Sequence, residues 1–261
     1  MLQLAVAFAA LLGLVIGSFA NVVIYRVPRA ESVISPPSAC PRCAHRIRPQ
    51  HNVPVLGWLF LRGRCADCKA PISVRYPLIE LCMGGAFAVV VAVWGVSWAA
   101  AMLVILAAFT IILSAIDVEV QRLPNRLVGL LGALVLAVII VAALAEGSGT
   151  EALRAAAGAA IVGTLYAGAF VAYPKGLGFG DVKLAPILGA AMAWFGWREL
   201  AVGTFAGFLW GALFGVLVIA VTKRMRQVRI PFGPWMFLGA WTGIAIGGAV
   251  AGWYLEKMLN A

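Results

Sequence analysis

Two aspartates stand where carboxylates are costly. Asp117 closes one apolar run at Ile116-Asp117, and Asp181 follows Gly178-Phe179-Gly180 just ahead of another. An acid at the centre of a membrane helix costs about 2.5–3.5 kcal/mol on insertion scales, so it marks a functional site by default. Two carboxylates held close together do not readily ionise together. One keeps a proton to donate while the other acts as base toward a water, which lets a pair of acids hydrolyse a peptide bond without a metal. Glycines at 178 and 180 leave room for another backbone beside Asp181. Lys183 can tune the charge there or hold an interfacial phosphate. Glu119 lies past the helix end and is a weaker candidate. Two plainer readings remain open. Such an aspartate can cap a helix, and paired membrane acids can carry protons in a transporter. Transporter acids usually sit near mid-membrane, whereas these sit at one interface.

The other chemistry lies in cysteines. Cys40-Xaa-Xaa-Cys43 and Cys65-Xaa-Xaa-Cys68 are separated by 21 residues. Two such pairs present four thiolates to one tetrahedral ion, which suits a structural zinc with no open position. Disulfides are the rival and are disfavoured if the segment faces a reducing compartment. With four cysteines available, His45 and His51 read as solvated or local. Cys82 reads as a small buried apolar residue of a span.

These residues need elements to hold them. Of the 261 residues, 63% are hydrophobic and 11% charged, with mean hydropathy +0.99. A soluble domain carries about 25% charged residues, so the composition predicts an all-α polytopic membrane protein. Apolar runs at about 2–25, 77–96, 98–116, 126–145, 152–173, 184–197, 199–222 and 234–254 predict about eight transmembrane helices, since ~20 residues cross the hydrocarbon core. The run at 184–197 is short and holds Pro186. No Lys or Arg precedes Arg26, so the first run reads as an uncleaved span and not a signal peptide. Pro124-Asn125 opens the fourth run and Glu146-Gly147-Ser148-Gly149 closes it. The expected domains are a first helix at 1–25, a cytoplasmic zinc-binding segment at 26–76, and a seven-helix core at 77–261. That segment is too short to bury much of a core, so metal would supply folding energy.

The net charge is +10. With both termini outside, inner loops hold 17 of the 20 basic residues, Lys175, Lys223, Arg224, Arg226 and Arg229 among them. Only Arg154, Arg198 and Lys257 fall outside. The positive-inside rule then sets the orientation and explains the charge without nucleic acid. Asp117 and Asp181 both come to the cytoplasmic face. Gly203, Gly207, Gly211 and Gly215 repeat at four-residue spacing, as do Gly243 and Gly247, giving smooth faces for helix packing within one bundle.

Longer stretches carry a resemblance. Gly17-Ser18-Phe19-Ala20-Asn21-Val22-Val23-Ile24-Tyr25-Arg26-Val27-Pro28, Ser35-Pro36-Pro37-Ser38-Ala39-Cys40-Pro41-Arg42-Cys43, Arg75-Tyr76-Pro77-Leu78-Ile79-Glu80, Gly178-Phe179-Gly180-Asp181-Val182-Lys183-Leu184 and Pro231-Phe232-Gly233-Pro234 together span nearly the whole chain. It resembles the type IV prepilin peptidases, membrane aspartyl proteases that share a Gly-Xaa-Gly-Asp signature with presenilin-like enzymes. The resemblance implies Asp117 and Asp181 as the catalytic pair. It implies substrates of the type IV prepilin or pseudopilin class, with a basic leader, Gly before the cut and often Phe after it, in the bacterial inner membrane. Bifunctional members also methylate the new amino terminus with S-adenosylmethionine and carry this cysteine segment. Glu80, beside that segment, is the candidate for the cofactor site, with a cap or an Arg75 ion pair as the alternative. A peptidase without methyl transfer and a proton-coupled transporter are the competing functions. The family often has Asp after Leu-Pro where this chain has Asn125, which removes one charge near Asp117.

Overall fold

The computed structural model describes residues 1–174, 176–222 and 231–259. Lys175, Lys223, Arg224, Arg226 and Arg229, counted above with the inner loops, lie outside the described residues. Among those described there is no strand. The helices are α1 (Leu2–Arg26), α2 (Leu56–Phe60), α3 (Arg75–Trp94), α4 (Trp98–Val120), α5 (Asn125–Glu146), α6 (Gly149–Ala172), α7 (Phe179–Phe195), α8 (Trp197–Thr222) and α9 (Gly233–Leu259). All but α2 and α7 are long and apolar enough to cross a membrane, which makes seven among the described residues. Large apolar side chains face outward along them: Phe8, Leu144, Val171, Phe205 and Trp253 are each more than half exposed. In hydrocarbon an apolar exterior carries no cost, and this corrects one expectation. Cys82 is exposed on α3 and not buried, because a thiol is apolar enough to face lipid.

The chain divides into two compact units, Met1–Ile116 and Asp117–Ala261. In the first, α1 and α3 pack antiparallel with their backbones nearly touching. A Cβ on Gly13 would lie 2.7 Å from Met83 O, and one on Gly17 would lie 2.7 Å from Glu80 Cα. Small residues permit that approach. Asn21 Nδ2 then donates to Gly17 O and to Tyr76 O, 3.2 Å each, and ties the two helices at one end.

In the second unit α6 and α7 are antiparallel, meeting where Gly158 faces Gly189 and Gly163 faces Pro186. Helices α8 and α9 are antiparallel too. Gly203 and Gly207 of α8 face Gly239 and Gly243 of α9 so closely that no Cβ fits between. The four-residue glycine spacing thus serves packing within one unit. Helix α5 runs parallel to α7, with Lys183 Nζ 2.8 Å from Asn125 Oδ1 at their starts and Gly132 against Ile187 further along.

The short run expected at 184–197 is α7. It starts at Phe179, inside the glycine motif, because its first turn is capped by the acid itself: Asp181 Oδ2 accepts the Gly178 N–H at 3.1 Å. Its 17 residues cover about 26 Å at 1.5 Å each, close to the ~30 Å of a hydrocarbon core. Its other end is met by Arg154 of α6. The guanidinium donates from Nε to Ala193 O at 2.6 Å and from Nη2 to Trp194 O at 2.5 Å. Those carbonyls belong to the last turn, which has no partner of its own in a helix.

Candidate active site

Among the described residues, the buried polar or charged side chains are Asn21, Glu80, Asp117 and Asp181. Three of the four are the acids singled out by sequence. Asp117 is 5% exposed and Asp181 6%. Asp117 lies within the last turn of α4, which continues to Val120. Its Oδ2 accepts the Gly233 N–H at 3.1 Å, so the first turn of α9 points a free amide at it. Asp181 occupies the third position of α7 and accepts the Gly178 N–H. Each carboxylate therefore sits at a helix N-terminus, where unpaired N–H groups and the helix dipole favour negative charge.

Leu123 joins the two. A Cβ on Gly180 would lie 3.0 Å from Leu123 Cβ, and one on Gly233 would lie 3.5 Å from Leu123 Cδ2. The glycines beside the two acids thus pack on one leucine. Four helix ends meet here: the end of α4 and the starts of α5, α7 and α9. Lys183 caps Asn125 and lies 4.4 Å above the Phe179 ring, on the rim. Asn125 therefore serves as a hydrogen-bond acceptor for a lysine.

Gly233 carries the donor to Asp117, and sequence reasoning quoted it only as part of a motif. Backbone amides leave no side-chain signature. The one available signal was Pro231 and Pro234 flanking it, a common way to start a helix.

In the first unit the four cysteines come together. Their sulfurs all lie within 4.8 Å of one another, and Cys40 Sγ is 3.8 Å from Cys68 Sγ. A disulfide needs about 2.05 Å. A tetrahedral zinc with Zn–S bonds of about 2.3 Å has S···S edges of about 3.8 Å, so the four thiols fit that ion. Each pair sits on the same backbone loop. Cys40 N donates to His45 O and Ala44 N to Cys40 O, as Cys65 N donates to Ala70 O and Lys69 N to Cys65 O. Isolated bridges join Ala39 to Arg46 and Arg64 to Pro71, and Ala44 and Lys69 share positive φ. Every feature recurs 25 residues on, a repeat that side-chain identities hide. Arg48 Nη2 and Asp67 Oδ1, 3.0 Å apart, pair the two loops. The N–H groups of Cys43 and Arg42 lower the Cys40 thiol to about 6. The His45 N–H favours the Cys43 thiolate, yet burial and neighbouring thiols hold Cys43 up at about 12. His45 and His51 are outside the cluster.

Glu80 is buried in the same unit. Its Oε2 accepts the Val55 N–H at 2.7 Å.

The profile of the type IV leader peptidase family matches residues 103–217, and that of the bacterial peptidase A24 N-terminal domain matches residues 11–94. A prepilin leader peptidase/N-methyltransferase of Stutzerimonas stutzeri is 35% identical over 277 residues, covering 95% of this chain and 93% of its own. One from Pseudomonas aeruginosa is 33% identical, with 94% and 92% covered. One from Burkholderia pseudomallei is 38% identical, with 89% and 82% covered. No solved structure matches the chain. Similarity of this extent to named enzymes sets aside the transporter reading, and it accounts for the apolar helices, the paired acids and the cysteine loops together: the chain is a multi-pass membrane protein that belongs to the type IV leader peptidase family.

Proposed function

We propose that this chain is an intramembrane aspartyl endopeptidase. It removes the basic leader from type IV prepilin- or pseudopilin-like proteins at the cytoplasmic face of the bacterial inner membrane, and then methylates the new amino terminus. The observation that supports this most is the convergence of Asp117 and Asp181, both buried and each accepting a helix-terminal amide, around Leu123. The positive-inside rule assigns that end to the cytoplasm, where a basic leader remains while its apolar stem lies in the membrane.

In this mechanism one ionised carboxylate takes a proton from water as the oxygen attacks the scissile carbonyl. The other carboxyl gives its proton to the carbonyl oxygen. The tetrahedral centre collapses as one of its hydroxyls gives its proton to the carboxylate left ionised, the C–N bond breaks, and the leaving amine takes a proton from the acid that was protonated by water. Gly233 and Gly178 hold the two acids in place throughout.

S-adenosylmethionine would supply an electrophilic methyl group to that amine. The segment between α1 and α3 is the candidate to hold it. Zinc bound by Cys40, Cys43, Cys65 and Cys68 would be structural, fixing both loops and leaving no position open for substrate.

The test uses detergent-purified protein, a prepilin substrate, and intact mass with and without S-adenosylmethionine. Wild type should shed the leader and, with the cofactor, yield a product one methyl heavier. Asp117→Asn and Asp181→Asn should each lower cleavage by about 10⁴-fold or more. Uncut substrate in the wild-type sample, or normal cleavage by either variant, would sink the assignment.

A further inference from the structure

The segment between α1 and α3 holds a strained turn at Val55, and that turn is held by a buried acid. Val55 has φ +60 and ψ −52, and Leu56 N donates to Pro54 O at 2.6 Å across it. This is a γ-turn of the rare, strained hand. For a β-branched residue positive φ is an outlier, and such conformations cost about 1–3 kcal/mol and persist only where the surroundings over-determine them. Gly57 N closes the loop onto Val53 O at 2.8 Å, and a Cβ at Gly57 would strike the His51 backbone. The turn also frees the Val55 N–H to point at Glu80, which accepts it at 2.7 Å.

Both sides of this contact are anchored. Glu80 lies on α3 where Gly17 brings α1 against its Cα, and Asn21 ties the same two helices one turn away. Val55 opens α2, and Trp58 of α2 donates from Nε1 to Ile72 O at 3.1 Å, next to the second cysteine loop. A continuous path thus runs from the membrane hairpin, through one carboxylate and one strained turn, to the metal-binding loops.

We propose that Glu80 is a positioning residue for methyl transfer, clamping the Val55 turn so that the cysteine-bearing segment is fixed on the α1–α3 hairpin. This rests on the reading that the segment serves methylation. It replaces a direct cofactor contact with a mechanical role.

The test compares full-length wild type with Glu80→Ala, Glu80→Gln and the double variant Glu80→Ala/Val55→Gly. Amide exchange at residues 55–59 reads the clamp itself, and intact mass reads cleavage and methylation separately. Glutamine can still accept from Val55, and glycine adopts positive φ without strain. Glu80→Ala should speed exchange and slow methylation by about 10-fold or more, the loss of one charge-assisted hydrogen bond. Glu80→Gln should stay within about 3-fold of wild type, and Val55→Gly should restore part of what Glu80→Ala loses. Cleavage should change by less than about 2-fold in all of them, since it depends on other residues. The proposal is overturned if Glu80→Ala leaves exchange unchanged. It is also overturned if Glu80→Gln keeps the amides protected yet loses methylation as fully as alanine, for then the carboxylate itself meets cofactor or amine. A wild type that cleaves without methylating would instead overturn the reading of the segment, while exchange still reports whether the clamp exists.

Discussion

A carboxylate is aimed by whatever donates to it, and Asp117 is aimed by a backbone amide. The Gly233 N–H reaches its Oδ2 at 3.1 Å, and a Cβ at 233 would lie 2.8 Å from the same oxygen. Alanine there must displace the carboxylate or the start of α9. Misplacing a reacting group by about 1 Å costs about 10²-fold in rate, so Gly233→Ala should lower kcat for leader removal by about that much with KM nearly unchanged. Gly129→Ala, where nothing lies within 4 Å of the added carbon, is the control and should cleave as wild type. Equal activity of the two variants would remove Gly233 from the site. The acids and cysteines were legible in sequence because their chemistry is costly or conspicuous in an apolar chain. Gly233, Val55 and Asn21 were not singled out, because each acts through backbone groups or through a partner that only the fold brings near.

At the level of elements, the least obvious one is α7. In sequence its first residues read as a glycine-rich approach to a span, since glycine usually breaks helices. The fold shows another use for the glycine at 180: it admits Leu123 beside the helix, and Asp181 supplies the cap that the glycines lack. Helix ends marked by side chains were easier to read. Pro124 precedes α5, and Gly147 closes it in the left-handed region at φ +70. Arg154 was read as an outer charge, and it does lie at the end of α6 away from the aspartates. Its side chain, however, turns inward to the carbonyls of Ala193 and Trp194. Those acceptors end a 17-residue helix in surroundings where an unpaired carbonyl is expensive. Arg154→Met keeps the aliphatic stem and loses both bonds, and should destabilise the purified protein by about 2–4 kcal/mol. Denaturant unfolding in detergent measures this. Arg154→Lys should recover part of the loss, and a change under about 0.5 kcal/mol for methionine would mean that water or lipid headgroups satisfy those carbonyls equally well.

On the scale of the whole molecule, the division at Ile116 and Asp117 separates two kinds of chemistry. Asp117, Asp181 and the glycines that hold them fall in the second unit, whereas the cysteine loops and the Glu80–Val55 contact fall in the first. If zinc only fixes the first unit, losing it should spare cleavage and cost methylation. Acid offers a way to remove it without a substitution. A thiol must ionise to bind metal, so protons compete with zinc for the four sulfurs increasingly as pH falls. Zinc content, read with a chromogenic chelator, should hold at pH 7 and decline as the solution is acidified. Protein stripped of zinc and returned to neutral pH should cleave within about 2-fold of the untreated sample, as expected of independent sites. Its methylation should fall by about 10-fold or more, and readded zinc should restore it. Cys43→Ser with Cys68→Ser should reproduce the stripped protein without any acid step. If instead cleavage and methylation fall together in both preparations, the cysteine loops support the entire fold, and the two units are compact without being functionally independent.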